Sequence, residues 1–199
     1  MNFRLSKLWG AALIAGLAIQ SSFAALNEGE SAPQFVTMAA LNGKAFSYSL
    51  RDTLQKGPVV VYFYPSAYTN GCNIQAHTFA EKNDQFVAAG ASIVGVSLDS
   101  IARLKNFSAD PDFCAGKIAV ASDAGGKIAK SYGLNVRSTP EGRKDTRGEE
   151  IDHGMAERTT FVVMPDGKVA SVVGGLSPVA NVDKALEVVQ WLARTRAEK

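Results

Sequence analysis

Residues 59–72 read Val59-Val-Val-Tyr-Phe-Tyr-Pro-Ser-Ala-Tyr-Thr-Asn-Gly-Cys72, and this stretch decides the fold. Val59 to Tyr64 is apolar at successive positions, which predicts a central strand covered on both faces. Pro65 ends this strand because it fixes φ and removes a backbone donor, which also shapes a pocket wall. A helix is predicted over residues 72–89, with Phe79, Phe86 and Val87 on one apolar stripe. Cys72 therefore lies where a strand, a polar turn and a helix meet.

The position of Cys72 favours nucleophilic chemistry. At a helix N-terminus, free backbone N–H groups and the positive end of the helix dipole stabilise the thiolate, which is the reactive form. The chain has only two cysteines, so Cys72 is not part of a cysteine-rich scaffold. The hydroxyl of Thr69 can bond the sulfur or a polar substrate, and Gly71 lets the backbone pass close to that substrate. These residues indicate cysteine redox chemistry.

The segments on either side of this stretch predict an α/β domain. Asn42-Gly43 is a hairpin turn signal within residues 34–50. The alternation of strands and helices that follows, with a late hairpin at Pro165-Asp-Gly167, predicts a three-layer domain with a mixed central sheet. Residues 135–157 are polar and form a long loop for a compact domain. The remaining predicted elements are strands at 91–98, 118–121, 159–164 and 168–173, and helices starting near Ser100, at 124–132 and at 179–194.

The N-terminus has the features of an export signal. Arg4 and Lys7 precede a short apolar segment, and Ser22-Phe23-Ala24 offers a signal peptidase site, so we expect residues 1–24 to be removed. The apolar segment is shorter than the roughly 20 residues of a membrane span, which argues against the alternative of an anchor and against stable membrane insertion. We therefore expect one mature domain over 25–199 in an oxidising compartment, the bacterial periplasm.

The composition is that of an ordinary globular protein, with 46% hydrophobic and 20% charged residues among 199. Without Arg4 and Lys7, basic and acidic side chains are equal in number. A near-neutral mature chain gives no electrostatic case for nucleic acid as a partner.

Tyr62-Phe-Tyr-Pro65 followed by Thr69-Asn-Gly-Cys72 resembles the Pro-x-x-x-Thr-x-x-Cys motif of the peroxiredoxins, the AhpC/TSA superfamily. The chain most resembles their bacterioferritin-comigratory-protein, or peroxiredoxin Q, branch. The resemblance implies a thioredoxin-like fold, a hydroperoxide substrate, a thioredoxin-like dithiol reductant, and no metal or other cofactor. Further segments that share it are Ile93 to Ser97, Ala119 to Asp123, Tyr132-Gly-Leu134, Glu157 to Phe161 and Pro165-Asp-Gly167.

The resemblance also implies roles for individual residues. The thiolate of Cys72 would attack one oxygen of the hydroperoxide and become a sulfenic acid. Thr69 and backbone N–H groups would hold the peroxide, with Pro65 and Gly71 shaping the pocket. Arg158 would lie beside the sulfur, favour its ionised form and stabilise charge on the breaking O–O bond.

Cys114 is the second cysteine, near the end of the helix that begins around Ser100, and Pro111 should disrupt that helix near its end. Cys114 matches the placement of a resolving cysteine in some peroxiredoxin Q-like proteins, where the thiol attacks the sulfenic acid to give an intramolecular disulfide. A disulfide needs Cα atoms roughly 4.4–6.8 Å apart, so we expect local unwinding near Pro111 and at the start of the Cys72 helix. A buried free Cys114 with a one-cysteine mechanism, and a static structural bridge, stay open as alternatives.

One residue departs from the family pattern. The family often has an acidic residue three positions after the peroxidatic cysteine, and Gln75 stands there. Glutamine keeps the hydrogen bonding but loses the charge that would orient Arg158. His77 and His153 could in principle join the cysteines in a zinc site, but their spacings match no zinc pattern, so both are expected to be exposed.

Two other functions fit the same fold. A thiol–disulfide oxidoreductase usually carries Cys-x-x-Cys, and Thr69 at the first position of that pattern argues against it. A non-catalytic binding module with a structural Cys72–Cys114 bridge is the other alternative. We expect a monomer, with a dimer as the alternative.

Overall fold

The computed structural model describes residues 25–198, so the predicted signal peptide over 1–24 lies outside the described part. The strands are β1 (Val36–Leu41), β2 (Lys44–Ser49), β3 (Val59–Phe63), β4 (Ser92–Ser97), β5 (Ala119–Ser122), β6 (Val136–Arg137), β7 (Met155–Ala156), β8 (Thr159–Val163) and β9 (Val169–Gly174). The helices are α1 (Leu50–Leu54), α2 (Asn70–Ala88), α3 (Ile101–Ala109), α4 (Lys127–Ser131) and α5 (Pro178–Ala197). Within residues 25–198, no helix combines the length and the apolar character needed to cross a membrane.

Seven strands form one mixed sheet in the order β2-β1-β5-β4-β3-β8-β9. Strands β3, β4 and β5 run parallel, and the other pairs are antiparallel. All five residues of β3 are buried, as the apolar run predicts. Because parallel strands need cover on both faces, this sheet requires helices on both sides.

The side chains of β3 alternate between two cores. Val60 and Tyr62 pack with α2, α3 and α5 on one face of the sheet. Val61 and Phe63 pack with α1, α4 and Tyr132 on the other face. The prediction of a three-layer α/β domain with a mixed central sheet is therefore confirmed.

Both predicted hairpins are present. Asn42 (φ 47°) and Gly43 (φ 77°) occupy the left-handed region between β1 and β2, which is the backbone that a two-residue hairpin turn requires. The second hairpin joins β8 to β9 around Gly167, whose φ is 80°. The N-terminal hairpin adds its two strands to the main sheet through the β1–β5 pairing.

Three local predictions need correction. Helix α2 begins at Asn70, two residues before the predicted start, because Thr69 takes the N-cap position. Val87 was placed on the buried stripe of this helix but is 60% exposed. Helix α4 is shorter than residues 124–132, because Asp123 accepts backbone bonds from Gly126 through its carbonyl and from Ala129 through its carboxylate, which makes the preceding residues a turn.

Cys114 does not lie in helix α3. The helix ends at Ala109, before Pro111, and Cys114 belongs to the turn that follows. In this turn the amide of Ala115 donates to the carbonyl of Asp110, and Ala115 adopts a left-handed φ of 50°. The disruption predicted at Pro111 is present, and it moves the second cysteine from a helix into an irregular segment.

Candidate active site

Cys72 is the third residue of α2 and lies at the bottom of a cleft of about 520 Å³. Its side chain is almost fully buried, with 2% of its surface exposed. Pro65, just after β3, Thr69 and Arg158, just before β8, line the same cleft. The structure therefore brings together at one place the residues that the sequence singled out, with the exception of Cys114.

Arg158 makes a two-pronged contact that fixes its guanidinium over the sulfur. Nη2 donates to Sγ of Cys72 at 3.4 Å, and Nη1 donates to Oε1 of Gln75. A positive charge in this position can stabilise negative charge that develops on the reacting atoms beside the sulfur. Gly71 permits this approach, because a Cβ at residue 71 would lie 3.1 Å from Nη2. Because Gly71 has no side chain, the Arg158 guanidinium can approach the sulfur. From the sequence, Gly71 was assigned only to the approach of the substrate.

Gln75 is anchored from behind by a neutral, fully buried network. Its Nε2 donates to Oδ1 of Asn181 at 2.9 Å, and the hydroxyl of Thr160 donates to the same oxygen at 2.6 Å. Nδ2 of Asn181 donates to the carbonyl of Val173 at 2.9 Å. Because these partners are all uncharged, the network orients Arg158 and leaves its positive charge uncompensated.

Asn181 was missed at the sequence level. It lies on the apolar stripe of α5 that includes Ala185 and Val189, and it is fully buried. A polar amide at such a position needs hydrogen-bond partners, and that was the available signal.

Thr69 uses its hydroxyl differently from the prediction. The hydroxyl donates to the carbonyl of Ser66 at 2.9 Å rather than to the sulfur of Cys72. Its backbone carbonyl accepts from the amides of Cys72 and Asn73, which starts the helix. The hydroxyl oxygen retains acceptor capacity, so it can receive the O–H of a hydroperoxide.

The turn before Thr69 contains a residue in an unusual backbone conformation. Tyr68 has a φ of 61°, in the left-handed region that a bulky residue adopts only when its surroundings hold it there. Thr146 bonds the Tyr68 carbonyl through its amide at 2.9 Å and its hydroxyl at 2.8 Å. The Arg147 guanidinium lies 3.3 Å from the centroid of the Tyr68 ring. The loop around residue 146 therefore holds the active-site turn in place.

A buried carboxylate supports the same turn from the other side. Asp99 is fully buried, and it accepts from the amide of Ala67 at 2.8 Å and from the hydroxyl of Ser66 at 3.0 Å. Arg103 lies 2.9 Å from it in an ion pair. Burial by itself raises the pKa of Asp99. The hydrogen bonds that Asp99 accepts, that from His153 above all, have the larger effect and leave its pKa below the ordinary value.

His153 is not an exposed histidine, which corrects the sequence expectation. Its Nε2 lies 2.9 Å from Oδ1 of Asp99 and its Nδ1 lies 2.8 Å from the carbonyl of Gly154. Both ring nitrogens therefore face acceptors, an arrangement that favours the protonated ring. Burial lowers the pKa of His153, but the hydrogen bond and charge of Asp99 raise it by more, so the net direction is upward.

The polar loop is also less solvated than its composition suggested. Asp145 is buried, and its carboxylate binds the side chains of Arg103 and Arg147. The expectation for His77 agrees with the structure, since it is exposed and faces Glu81. Over residues 25–198, no three His, Cys, Asp or Glu side chains are arranged to hold a metal ion.

Cys114 is a free thiol, as is Cys72, and it is fully buried in the same hydrophobic cluster. Burial raises the pKa of Cys114, and the charge of Asp110 raises it further. This thiol is therefore protonated and shielded from solvent. It is next to Phe113, whose ring packs on those of Phe107 and Tyr68.

Comparisons with known proteins agree with this site. The AhpC/TSA family matches residues 29–172. A chloroplastic peroxiredoxin Q of Populus jackii is 30% identical over 171 residues, which cover 85% of this chain and 71% of the relative. The crystal structure of peroxidoxin BcpB from Mycobacterium tuberculosis superposes with a TM-score of 0.68 at 29% identity, covering 82% of this chain and 96% of that one.

A bacterioferritin comigratory protein of Xanthomonas campestris, whose structure was described for alkyl peroxide reduction, has a TM-score of 0.62 at 26% identity. The match covers 78% of this chain and 91% of that protein. These structures confirm the thioredoxin-like fold.

Proposed function

The chain belongs to the AhpC/TSA family and is a peroxiredoxin, a thiol peroxidase, and from that premise we propose that it reduces hydrogen peroxide and organic hydroperoxides at Cys72, with Cys114 as the resolving cysteine. The observation that carries this proposal is the contact of Arg158 with the Cys72 sulfur at the bottom of an open cleft. At this position a nucleophile and a fixed positive charge lie together in a cleft that a small substrate can enter.

In the first step the Cys72 thiolate attacks the nearer oxygen of the hydroperoxide. A sulfur–oxygen bond forms, the O–O bond breaks, and the departing oxygen takes a proton to leave as water or an alcohol. The sulfur is oxidised to a sulfenic acid while the peroxide is reduced. Arg158 acts on the negative charge as it moves from the sulfur to the departing oxygen, and Thr69 accepts the O–H of the bound peroxide.

In the second step the Cys114 thiol attacks the Cys72 sulfenic acid. A disulfide forms and one water leaves, so the two electrons given to the peroxide come from the pair of thiols. Since Cys114 is buried, protonated and part of an irregular turn, the turn after Pro111 must open before this attack. The left-handed backbone at Ala115 and the stacking of Phe113 on Phe107 are the local features that this opening would change.

A dithiol then reduces the disulfide by exchange and restores both thiols. Peroxiredoxins use thioredoxin-like reductants, and we propose a reductant of this type in the bacterial periplasm. The charged and apolar segments of residues 1–24 support export, and an N-terminus at Ala25 in the periplasmic fraction would test it. We propose a monomer, which sedimentation of the reduced mature protein would check against a dimer.

Stopped-flow peroxide consumption tests the proposed reaction. Reduced wild-type protein should consume one equivalent of peroxide rapidly and form a Cys72–Cys114 disulfide. Cys114→Ser should consume peroxide at a similar rate and accumulate a sulfenic or sulfinic acid at Cys72. Cys72→Ser should consume none above the rate of free thiols.

The same preparation separates the other functions. A thiol–disulfide oxidoreductase would exchange with dithiols while leaving peroxide unreduced. A non-catalytic module would keep its thiol titre after one equivalent of peroxide. Either result would overturn the proposal.

A further inference from the structure

We propose that the cleft above Cys72 contains an anion subsite, formed by Arg143 and Lys144, that selects hydroperoxides carrying a carboxylate group. The inference rests on the proposed peroxidase function and specifies its substrate class. The substrate would place its peroxide group at the sulfur, its hydrocarbon portion along Met155, and its carboxylate at the two cations.

The location of these cations is the first argument. Arg143 and Lys144 line the same cleft as Cys72, and Met155 supplies an apolar wall. A second cavity of about 450 Å³ adjoins the cleft and shares Arg143, Met155 and Arg158 with it. The cleft itself, about 520 Å³, is in the range of sites that bind small organic molecules, so its space exceeds what hydrogen peroxide needs.

The charge balance of the cleft is the second argument. Asp145 is the one acidic residue among those that line it. Its Oδ2 accepts from Arg103 Nη2 at 2.6 Å and from Arg147 Nη2 at 3.0 Å, and neither of these arginines lines the cleft. Its Oδ1 accepts the amides of Arg147 and Glu149. The negative charge of Asp145 is therefore compensated by two arginines that lie outside the cleft.

The three cations of the cleft are not compensated in this way. Throughout residues 25–198, no carboxylate oxygen lies within 4.0 Å of a charged nitrogen of Arg143, Lys144 or Arg158. The partner of Arg158 is the neutral Gln75. In the adjoining cavity Arg137 and Glu157 add one charge of each sign. The cleft thus keeps a positive excess, which concentrates anions.

The backbone that carries the cations is a defined turn. The amide of Ile151 donates to the carbonyl of Arg143 at 2.8 Å, and the amide of Asp145 donates to the carbonyl of Glu149 at 2.8 Å. Lys144 and Glu150 form an antiparallel bridge between these bonds. The side chain of Ile151 is buried and fixes the turn to the domain. Arg143 and Lys144 therefore belong to an ordered turn that lines the cleft.

A matched pair of substrates tests the proposal. Cumene hydroperoxide with a para-carboxylate and the same molecule with a para-carboxamide have the same shape and reactive group but differ in charge. We expect wild-type protein to reduce the carboxylate about 1.5-fold to 5-fold faster in single-turnover kinetics, the range that a solvent-screened ion pair supplies. The ratio should fall towards one as salt is added.

Variants assign the preference to the two cations. In the double variant Arg143→Gln, Lys144→Gln the ratio of the two rates should fall to about one. Lys56→Gln, which removes an exposed charge on the connection between α1 and β3, should keep both the wild-type ratio and the rate with hydrogen peroxide. Equal rates for the two substrates in wild type, or an unchanged ratio in the double variant, would overturn the subsite.

A binding comparison separates this inference from the proposed function. The unreactive para-isopropylbenzoate should shift NMR signals of the cleft at lower concentration than para-isopropylbenzamide does, and the double variant should abolish the difference. A protein that left hydrogen peroxide unreduced would refute the peroxidase function, and this comparison would still decide whether the anion subsite exists.

Discussion

Replacing Arg158 with methionine should slow the reaction of the protein with hydrogen peroxide. The substitution keeps a long side chain but removes the donor to Sγ at 3.4 Å and the donor to Gln75. A hydrogen bond to a charged group contributes about 1.5–3 kcal/mol. With a factor of ten for every 1.4 kcal/mol or so, the expected loss in rate constant is about 10-fold to 150-fold.

Arg158→Lys should give an intermediate rate. The ammonium keeps the positive charge, but it lacks the planar fork that reaches the sulfur and Gln75 together. The rates are measured by stopped flow with peroxide in excess over reduced protein, with Arg51→Met as the control, because Arg51 is an exposed residue of α1 away from the cleft. A rate for a folded Arg158→Met within twofold of wild type would refute the assigned role of the guanidinium.

Three further changes probe the surroundings of this contact. Gln75→Leu removes the acceptor of Arg158 Nη1, so it should lower stability by about 1–3 kcal/mol in urea unfolding and also slow peroxide reduction. An unchanged unfolding midpoint would contradict the buried network. Gly71→Ala places a Cβ 3.1 Å from the Arg158 guanidinium, which must then shift by less than about 1 Å. Since a 1 Å displacement can cost ~100-fold in rate, we expect the rate of peroxide reduction to fall about tenfold. A wild-type rate would show that this crowding does not matter. Asp99 raises the pKa of His153 above 6.5 in the folded protein, so this pair stabilises the fold fully below pH 6.5 and the stabilisation disappears as pH rises through the folded-state pKa. The stability difference between wild type and His153→Gln should therefore shrink from acid to alkaline pH. A difference that grew with pH would contradict the direction of this pKa shift.

The parts of the fold that the sequence predicted well depend on local signals. The buried strand at 59–63 follows from an uninterrupted apolar run, and the first hairpin follows from Asn42-Gly43. Pro111 correctly predicted the end of α3. Helix boundaries were less accurate, because a cap such as Thr69 is defined by backbone geometry that residue type alone does not fix.

The missed parts of the site depend on contacts between distant segments. Gln75 and Asn181 are 106 residues apart in the chain, and His153 and Asp99 are 54 apart. No local pattern encodes such pairs, since they arise only when α5 and the long loop pack on the sheet. His153 was predicted to be exposed, yet its ring contacts the buried carboxylate of Asp99, just beyond the end of β4. The position of Arg158 was predicted through the family resemblance. Only the structure shows that the neutral Gln75 and Asn181 orient it.

The central claim is that Cys72 is the residue that takes oxygen from the peroxide. The most direct measurement mixes reduced Cys114→Ser with one equivalent of hydrogen peroxide, traps sulfenic acid with a dimedone-type reagent, and locates the adduct by peptide mass spectrometry. We predict an adduct on Cys72 that matches the peroxide consumed. A Cys72 peptide that stays reduced and fully open to alkylation while peroxide persists would contradict the account.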